Sequence, residues 1–299
     1  MRQMLLSLYR RGYKVLVRRG VLKFGAARTA YRFVTSRLKS GLVEVQGHRM
    51  FLDSQDSLGL LTTGVIEPAE TELVKGEIKE GDVVLDIGAN IGYYTLIFAR
   101  LVGEKGRVFA FEPDPDNFAL LKRNVQLNGY RNVILVQKAV SNETRKARLF
   151  LRERGKGYQT MIDLHDGRNF IEIEAVRLDD YFAGYQGAVD FIKMDIEGTE
   201  VGAIQGMLSL LNKNRSLKIL TEFWPYGLKR FGVEPGDYLE LLLKHGFRLY
   251  HAGAPLSHGS TSGTRERGGK IPADVAELLR VFRPEEEYTF TNLFAVRER

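Results

Sequence analysis

A chain of 299 residues with 44% hydrophobic content can fill the core of one large α/β domain, and the absence of cysteine excludes disulfides, thiolate metal sites and a cysteine nucleophile. The net charge of +7 is weak support for nucleic-acid binding, because it is unevenly placed. Eleven of the 44 basic residues and none of the 37 acidic ones fall within residues 1–43, so the rest of the chain is slightly acidic.

Residues 1–43 read as a basic helical arm. On a helical projection Leu5, Leu8, Tyr9, Tyr13, Val15 and Leu16 share one face and Arg10, Arg11, Lys14 and Arg18 the other, with Arg2 and Arg19 out of pattern. A second short helix is expected over residues 29–39. Three uses are open to such an arm: packing on protein, peripheral contact with an anionic membrane surface, and a transit peptide. Packing on protein is the commonest fate of an amphipathic face. No apolar run approaches the length of a membrane span.

The body, residues 44–299, is expected to open with a hairpin turning near Gln46-Gly47, followed by an amphipathic helix from Glu67 to Ile78. Val83 to Thr95, VVLDIGANIGYYT, then reads as a buried strand, a glycine turn and a helix start. Glycines there let the backbone approach a ligand, and the helix N-terminus offers free N–H groups. The spacing Gly88-Ala89-Asn90-Ile91-Gly92 departs from the G-x-G-x-x-G of dinucleotide sites. Asp86 before it suits an ammonium group and opposes a pyrophosphate. The cofactor that fits is S-adenosylmethionine, held by Asp86, Gly88, Ala89, Asn90, Gly92, Tyr94 and Thr95.

Arg107 to Phe111 is the second strand and ends in Glu112-Pro113, on the carboxyl edge where open α/β sheets bind ligands. Glu112 there can accept both hydroxyls of a ribose. A helix from Asp114 to Asn128 and a third strand from Val133 to Val136 follow. The next loop should border adenine, with small Ala139 and neighbouring Val140 letting the base lie flat. Residues 145–177 break the rhythm and read as an inserted hairpin with a mobile tip. His165 within it is an alternative base or metal ligand, but no H-x-x-x-H spacing accompanies it and no metal is expected.

Val189 to Met194 is the fourth strand, Thr199 to Leu211 one helix, and Leu217 to Thr221 the fifth strand. A helix from Tyr238 to Lys244 and closing strands at Phe247 to Tyr250 and Tyr288 to Val296 complete a parallel sheet covered on both faces. Residues 258–270 read as a flexible linker. The segment FIKMDIEGTE crowds Lys193, Asp195, Glu197 and Glu200 at a buried strand end, and Glu222 should share that edge. Asp195, Glu197 and Glu222 are the candidate bases, Lys193 orients one of them, and Asp195 also borders the cofactor. The competing reading is an ion-paired, helix-capping cluster. Trp224 either stacks on a sugar or packs its loop on the next helix.

Together with FEPDPDNFALLKRNV, VRLDDY and YTFTNLFAVRER, these motifs resemble an FkbM-type methyltransferase over about Val43 to Val296. The resemblance implies a class I fold, a Rossmann-like sheet of seven strands whose last is antiparallel, with helices on both faces. It further implies S-adenosylmethionine-dependent O-methylation of a saccharide, glycolipid or polyketide-like acceptor. No nucleic-acid partner is expected. The location implied is cytoplasmic, peripheral at the inner membrane surface if the arm engages lipid. A nicotinamide-dependent oxidoreductase and a non-catalytic cofactor-binding scaffold are the competing functions.

Overall fold

The computed structural model describes residues 42–54, 56–151, 159–165, 167–253 and 271–297. Nearly all of the arm, the tip of the inserted hairpin and the linker at residues 258–270 lie outside the described residues. Strands β1 (Leu42–Val45) and β2 (His48–Phe51) form the expected hairpin, with Gln46 and Gly47 both left-handed at the turn. Val43, Val45 and Met50 are buried beneath it. The Asn124 side chain bonds both backbone groups of Phe51 and also the Ile91 carbonyl, tying the hairpin to the glycine turn.

The main sheet contains β3 (Val83–Ile87), β4 (Arg107–Phe111), β5 (Val133–Val136), β9 (Phe191–Met194) and β10 (Lys218–Phe223) as parallel neighbours. β13 (Thr291–Val296) runs antiparallel between β10 and β11 (Arg248–His251). These seven are the expected class I set. An eighth, the two-residue β12 (Ile271–Pro272), extends the edge beyond β11. Among the described residues no helix is long and apolar enough to cross a membrane.

Period-two alternation decides which side chains reach which face. Leu85, Ile87, Ile192, Met194, Ile219 and Phe223 enter one core layer, while Val84, Phe191 and Leu220 enter the other. The second face therefore also receives Asp86, Lys193 and Glu222 at the carboxyl ends of adjacent strands. Asp86 and Lys193 are direct cross-strand partners, and Glu222 pairs in register with Asn292.

Three expectations need correction. The insertion is more than a hairpin: β7 (Arg145–Phe150) pairs with β8 (Phe170–Val176), and β6 (Ala139–Val140) joins β8 in parallel. The presumed adenine loop is thus partly strand. The helix expected over Thr199 to Leu211 is two helices, Glu200–Gln205 and Leu208–Lys213. A Cβ on Gly206 would stand 2.0 Å from the Ser141 carbonyl oxygen, so the chain dips against β6 there. The Asp179 carboxylate then accepts the Ser209 and Leu210 amides and starts the second helix. Helices at Leu60–Thr63, Leu178–Tyr181, Pro225–Arg230 and Val275–Val281 were also unforeseen, being too short to display a period.

Candidate active site

From β3 the chain turns through Gly88, Asn90 and Gly92, all at positive φ, into the helix Tyr93–Val102. Asn90 adopts this geometry with its Oδ1 accepting the Ile91 amide at 2.8 Å. Ligand approach is not the only demand on the glycines. A Cβ at Gly88 would meet the Asp195 carbonyl oxygen at 2.0 Å, and one at Gly92 the Leu121 side chain at 2.8 Å. Both positions are shaped by close approach of the protein to itself.

Three cavities meet along the carboxyl edge. The first brings together Gly88, Asn90, Glu112, Pro113, Ala139 and Val140, six of the residues expected at the cofactor. Its outer wall is Asn117, Leu149, Gln159 and Met161, none of them foreseen. Gln159 donates to Asp114 Oδ2 at 3.0 Å, joining the inserted sheet to the start of the helix Pro115–Leu127. Glu112 accepts the Asn90 amide at 2.8 Å and the Asp114 amide at 2.9 Å, one on each oxygen. Each oxygen keeps a second lone pair for a donor.

The second cavity, about 270 Å³, is bordered by Asp86, Ala89, Tyr94 and Lys193, together with Ser57 and Glu67. Asp86 Oδ2 accepts from Thr95 at 2.5 Å, so Thr95 acts on the site through Asp86. Lys193 Nζ pairs with Asp195 Oδ2 at 3.0 Å and lies 4.7 Å from the Tyr94 ring centre. Burial opposes the lysine's charge, but Asp195, Glu67 and Asp86 overcome it and hold the ammonium above its ordinary range. This pair suits both the orienting role expected of Lys193 and the ion-paired alternative.

Glu67 has no counterpart in the sequence reading. It sits at φ 41 before Pro68, accepts Tyr94 Oη at 3.0 Å and accepts Asn292 Nδ2 at 2.8 Å. Burial first, then the charge of Asp195, raises its carboxyl. No local signal marks it, since its partners come from residues far along the chain.

A third cavity of about 180 Å³ is bordered by Glu197, Glu222, Trp224, Tyr288 and Phe290. Glu197 reaches all three cavities, Asp195 the first two, and Glu222 the second and third. Burial, then Glu197 and Asp195, holds the Glu222 carboxyl well above the usual carboxylate range. Trp224 Nε1 donates to the Glu287 carbonyl at 2.7 Å while its ring borders the cavity. Glu200 accepts the Ile196 and Gly198 amides of the loop ahead of its helix and makes no cap. His165 is 79% exposed beside Asp163 and does not join the carboxylates.

Buried carboxyls also give a pH signature. Burial raises Asp86 to about 6, Glu200 to about 7 and Glu112 to about 8, whereas the unfolded chain releases these protons near about 4. The stability these groups contribute is fully present below their unfolded values and is lost as pH rises through the folded ones. His48, held down to about 4 by burial, acts in the opposite sense but only below the ordinary histidine range. We therefore expect the ligand-free thermal midpoint to fall from about pH 6.5 to about 8.5, and Glu112→Gln to flatten that fall. A midpoint that climbs over this interval contradicts the assignment.

Residues 86–249, more than half of the chain, match the family model described as the methyltransferase FkbM domain. The chain belongs to the FkbM methyltransferase family. Membership makes S-adenosylmethionine the cofactor and the fold that of a class I methyltransferase. The chain is 28% identical over 214 residues to the 31-O-demethyl-FK506 methyltransferase FkbM of Streptomyces tacrolimicus, covering 62% of this chain and 79% of that protein. It is 37% identical over 60 residues to protein-L-isoaspartate O-methyltransferase 1 of Archaeoglobus fulgidus, covering 20% of this chain and 28% of that one. The chain thus spans about three-tenths of the length of such isoaspartate relatives. Among solved structures, an S-adenosylmethionine-dependent O-methyltransferase from Thermotoga maritima aligns at 15% identity and a TM-score of 0.43, over 87% of this chain and 78% of that one.

Proposed function

We propose that this FkbM-family chain is an S-adenosylmethionine-dependent O-methyltransferase whose acceptor is a hydroxyl on a saccharide, glycolipid or polyketide-like small molecule. One observation supports this above others. The cavity with the expected ribose and adenine contacts adjoins, through Asp195 and Glu197, cavities bordered by carboxylates and aromatic rings. The name of the Streptomyces relative, a 31-O-demethyl-FK506 methyltransferase, favours an oxygen acceptor. The proposal includes a cytoplasmic location, with the basic arm contacting protein or an anionic membrane surface.

When bound, S-adenosylmethionine supplies a methyl group already activated by its positively charged sulfur. Glu112 would accept the ribose hydroxyls while retaining the Asn90 and Asp114 amides. Asp86, whose Oδ1 has no hydrogen-bond partner among the described residues, suits the ammonium end. At the acceptor, Glu197 and Glu222 are the groups to take up the proton that the hydroxyl loses, and burial beside Glu197 and Asp195 raises the Glu222 carboxyl, making it a stronger proton acceptor. Lys193 positions Asp195. Trp224, Tyr288 and Phe290 offer ring faces to a sugar or polyketide and keep water away.

Titration of the purified chain with S-adenosylmethionine, its demethylated product and NAD tests the cofactor against the oxidoreductase reading. Release of S-adenosylhomocysteine over a panel of cell-envelope saccharides and lipid-linked glycans tests turnover against a non-catalytic scaffold. At least one of Glu197→Gln and Glu222→Gln should lower turnover by about tenfold or more while cofactor affinity stays within about threefold. Full activity in both variants would move the acceptor site elsewhere.

A further inference from the structure

The strand ends that carry Asp195, Glu197 and Glu222 bring one carboxylate oxygen of each within 4.8 Å of the others. Glu67 and Asp86 border the same cavity, and its cation, Lys193, already pairs with Asp195. Glu222 is 8% exposed, and its buried Oε2 has no hydrogen-bond partner among the described residues. A buried carboxylate oxygen without a donor is costly, and more so beside like charges. A cation would satisfy that oxygen.

We propose that Asp195, Glu197 and Glu222 bind a hard divalent cation where the cofactor and acceptor cavities meet, leaving a coordination position for the acceptor oxygen. The donors are all carboxylate oxygens, the class that magnesium, manganese and calcium prefer. Two ligands on opposite sides of a metal stand at most two bond lengths apart, roughly 4.2 Å for magnesium and up to about 5.2 Å for calcium. The 4.8 Å spread is thus within reach of calcium as it stands, and of manganese or magnesium after a small closure of the side chains. Lys193, holding Asp195 by Oδ2, is placed as the group that orients a ligand from behind. A cation there would polarise the acceptor hydroxyl and ease loss of its proton to a neighbouring carboxylate. Histidine spacing, the usual sequence sign of a metal, is no guide to a site built from acids on two strand ends.

The cation's role in methyl transfer rests on the function proposed above, but its binding does not, so binding is tested without methyl donor or acceptor. Manganese chloride is titrated into the metal-stripped full chain, free Mn²⁺ being read by electron paramagnetic resonance. The expected result is saturable binding of a single Mn²⁺, displaced by Ca²⁺ or Mg²⁺. Glu197→Gln and Glu222→Gln should each weaken it by at least about tenfold, while Glu240→Gln on the surface leaves it unchanged. Circular dichroism shows whether each variant is folded, and if Glu222→Gln is not, the partly exposed Glu197→Gln decides alone. Failure of the wild-type chain to saturate below about 1 mM Mn²⁺, or wild-type affinity in every folded variant, overturns the proposal. Manganese binding at these residues without any affinity for S-adenosylmethionine would leave the metal site standing and remove the methyl-transfer reading.

Discussion

Replacing Gly88 with alanine is expected to remove more than about 4 kcal/mol of folding stability, enough to unfold many domains of ordinary stability. Two costs act together. The residue sits at φ 83, where a side chain is strained, and its new Cβ would stand 2.0 Å from the Asp195 carbonyl oxygen and 3.1 Å from the carbonyl carbon. Relief requires β3 and β9 to separate at their carboxyl ends, and both strands are held by ladder bonds on either side. Gly92→Ala is the useful comparison. It meets a flexible Leu121 methyl at 2.8 Å, so its loss should be nearer the ~1–3 kcal/mol of the backbone strain alone. Urea unfolding followed by circular dichroism measures both. A Gly88→Ala midpoint matching that of the parent protein would mean that the strand ends do not approach as described.

Glu112→Ala should weaken S-adenosylmethionine binding by at least ~1.5 kcal/mol, the scale of a charge-assisted hydrogen bond and more than a tenfold change in affinity. The variant removes the proposed ribose acceptor and also strips the partner from the Asn90 and Asp114 amides, so the glycine turn loosens with it. Glu112→Gln, which keeps the shape, separates the two effects. Asp86→Ala should cost a similar amount through the opposite end of the cofactor. Burial raises Glu112 to about 8, and hydroxyl donors favour its ionised form, so cofactor binding near pH 7 should release a proton. Calorimetry in buffers of different ionisation enthalpy reads that proton directly. Unchanged titrations for both alanine variants in folded protein would sink the cofactor assignment at these residues.

The local chemistry of this chain is legible in its sequence. Glycines at 88 and 92 mark a turn because few residues other than glycine tolerate that φ cheaply, and the β-branched run before them marks a buried parallel strand. Helix starts were readable where a cap is written locally, as at Asp114, which accepts the Asn117 amide at 2.8 Å. Glu112, Asp195 and Glu222 could be placed on one edge because each stands at the carboxyl end of a strand, and strand ends in such sheets share an edge. These inferences succeed because backbone sterics and side-chain periodicity act over a few residues.

Tertiary structure decided everything that depends on register or close approach. Nothing near Asp86 announces that Lys193 lies directly across from it; parallel pairing of β3 with β9 does that. Glu67 joins Asn292 only because β13 inserts antiparallel beside β10, carrying that residue to the site. The break at Gly206 answers to the Ser141 carbonyl, and the loop at Ala139 becomes a strand because β8 offers it an unpaired edge. Convergence of three carboxylates within 4.8 Å belongs to the same class of fact. Sequence sets which residues have the right chemistry and which face of an element they occupy; only the packed sheet, whose crossovers join distant segments, sets which of them touch.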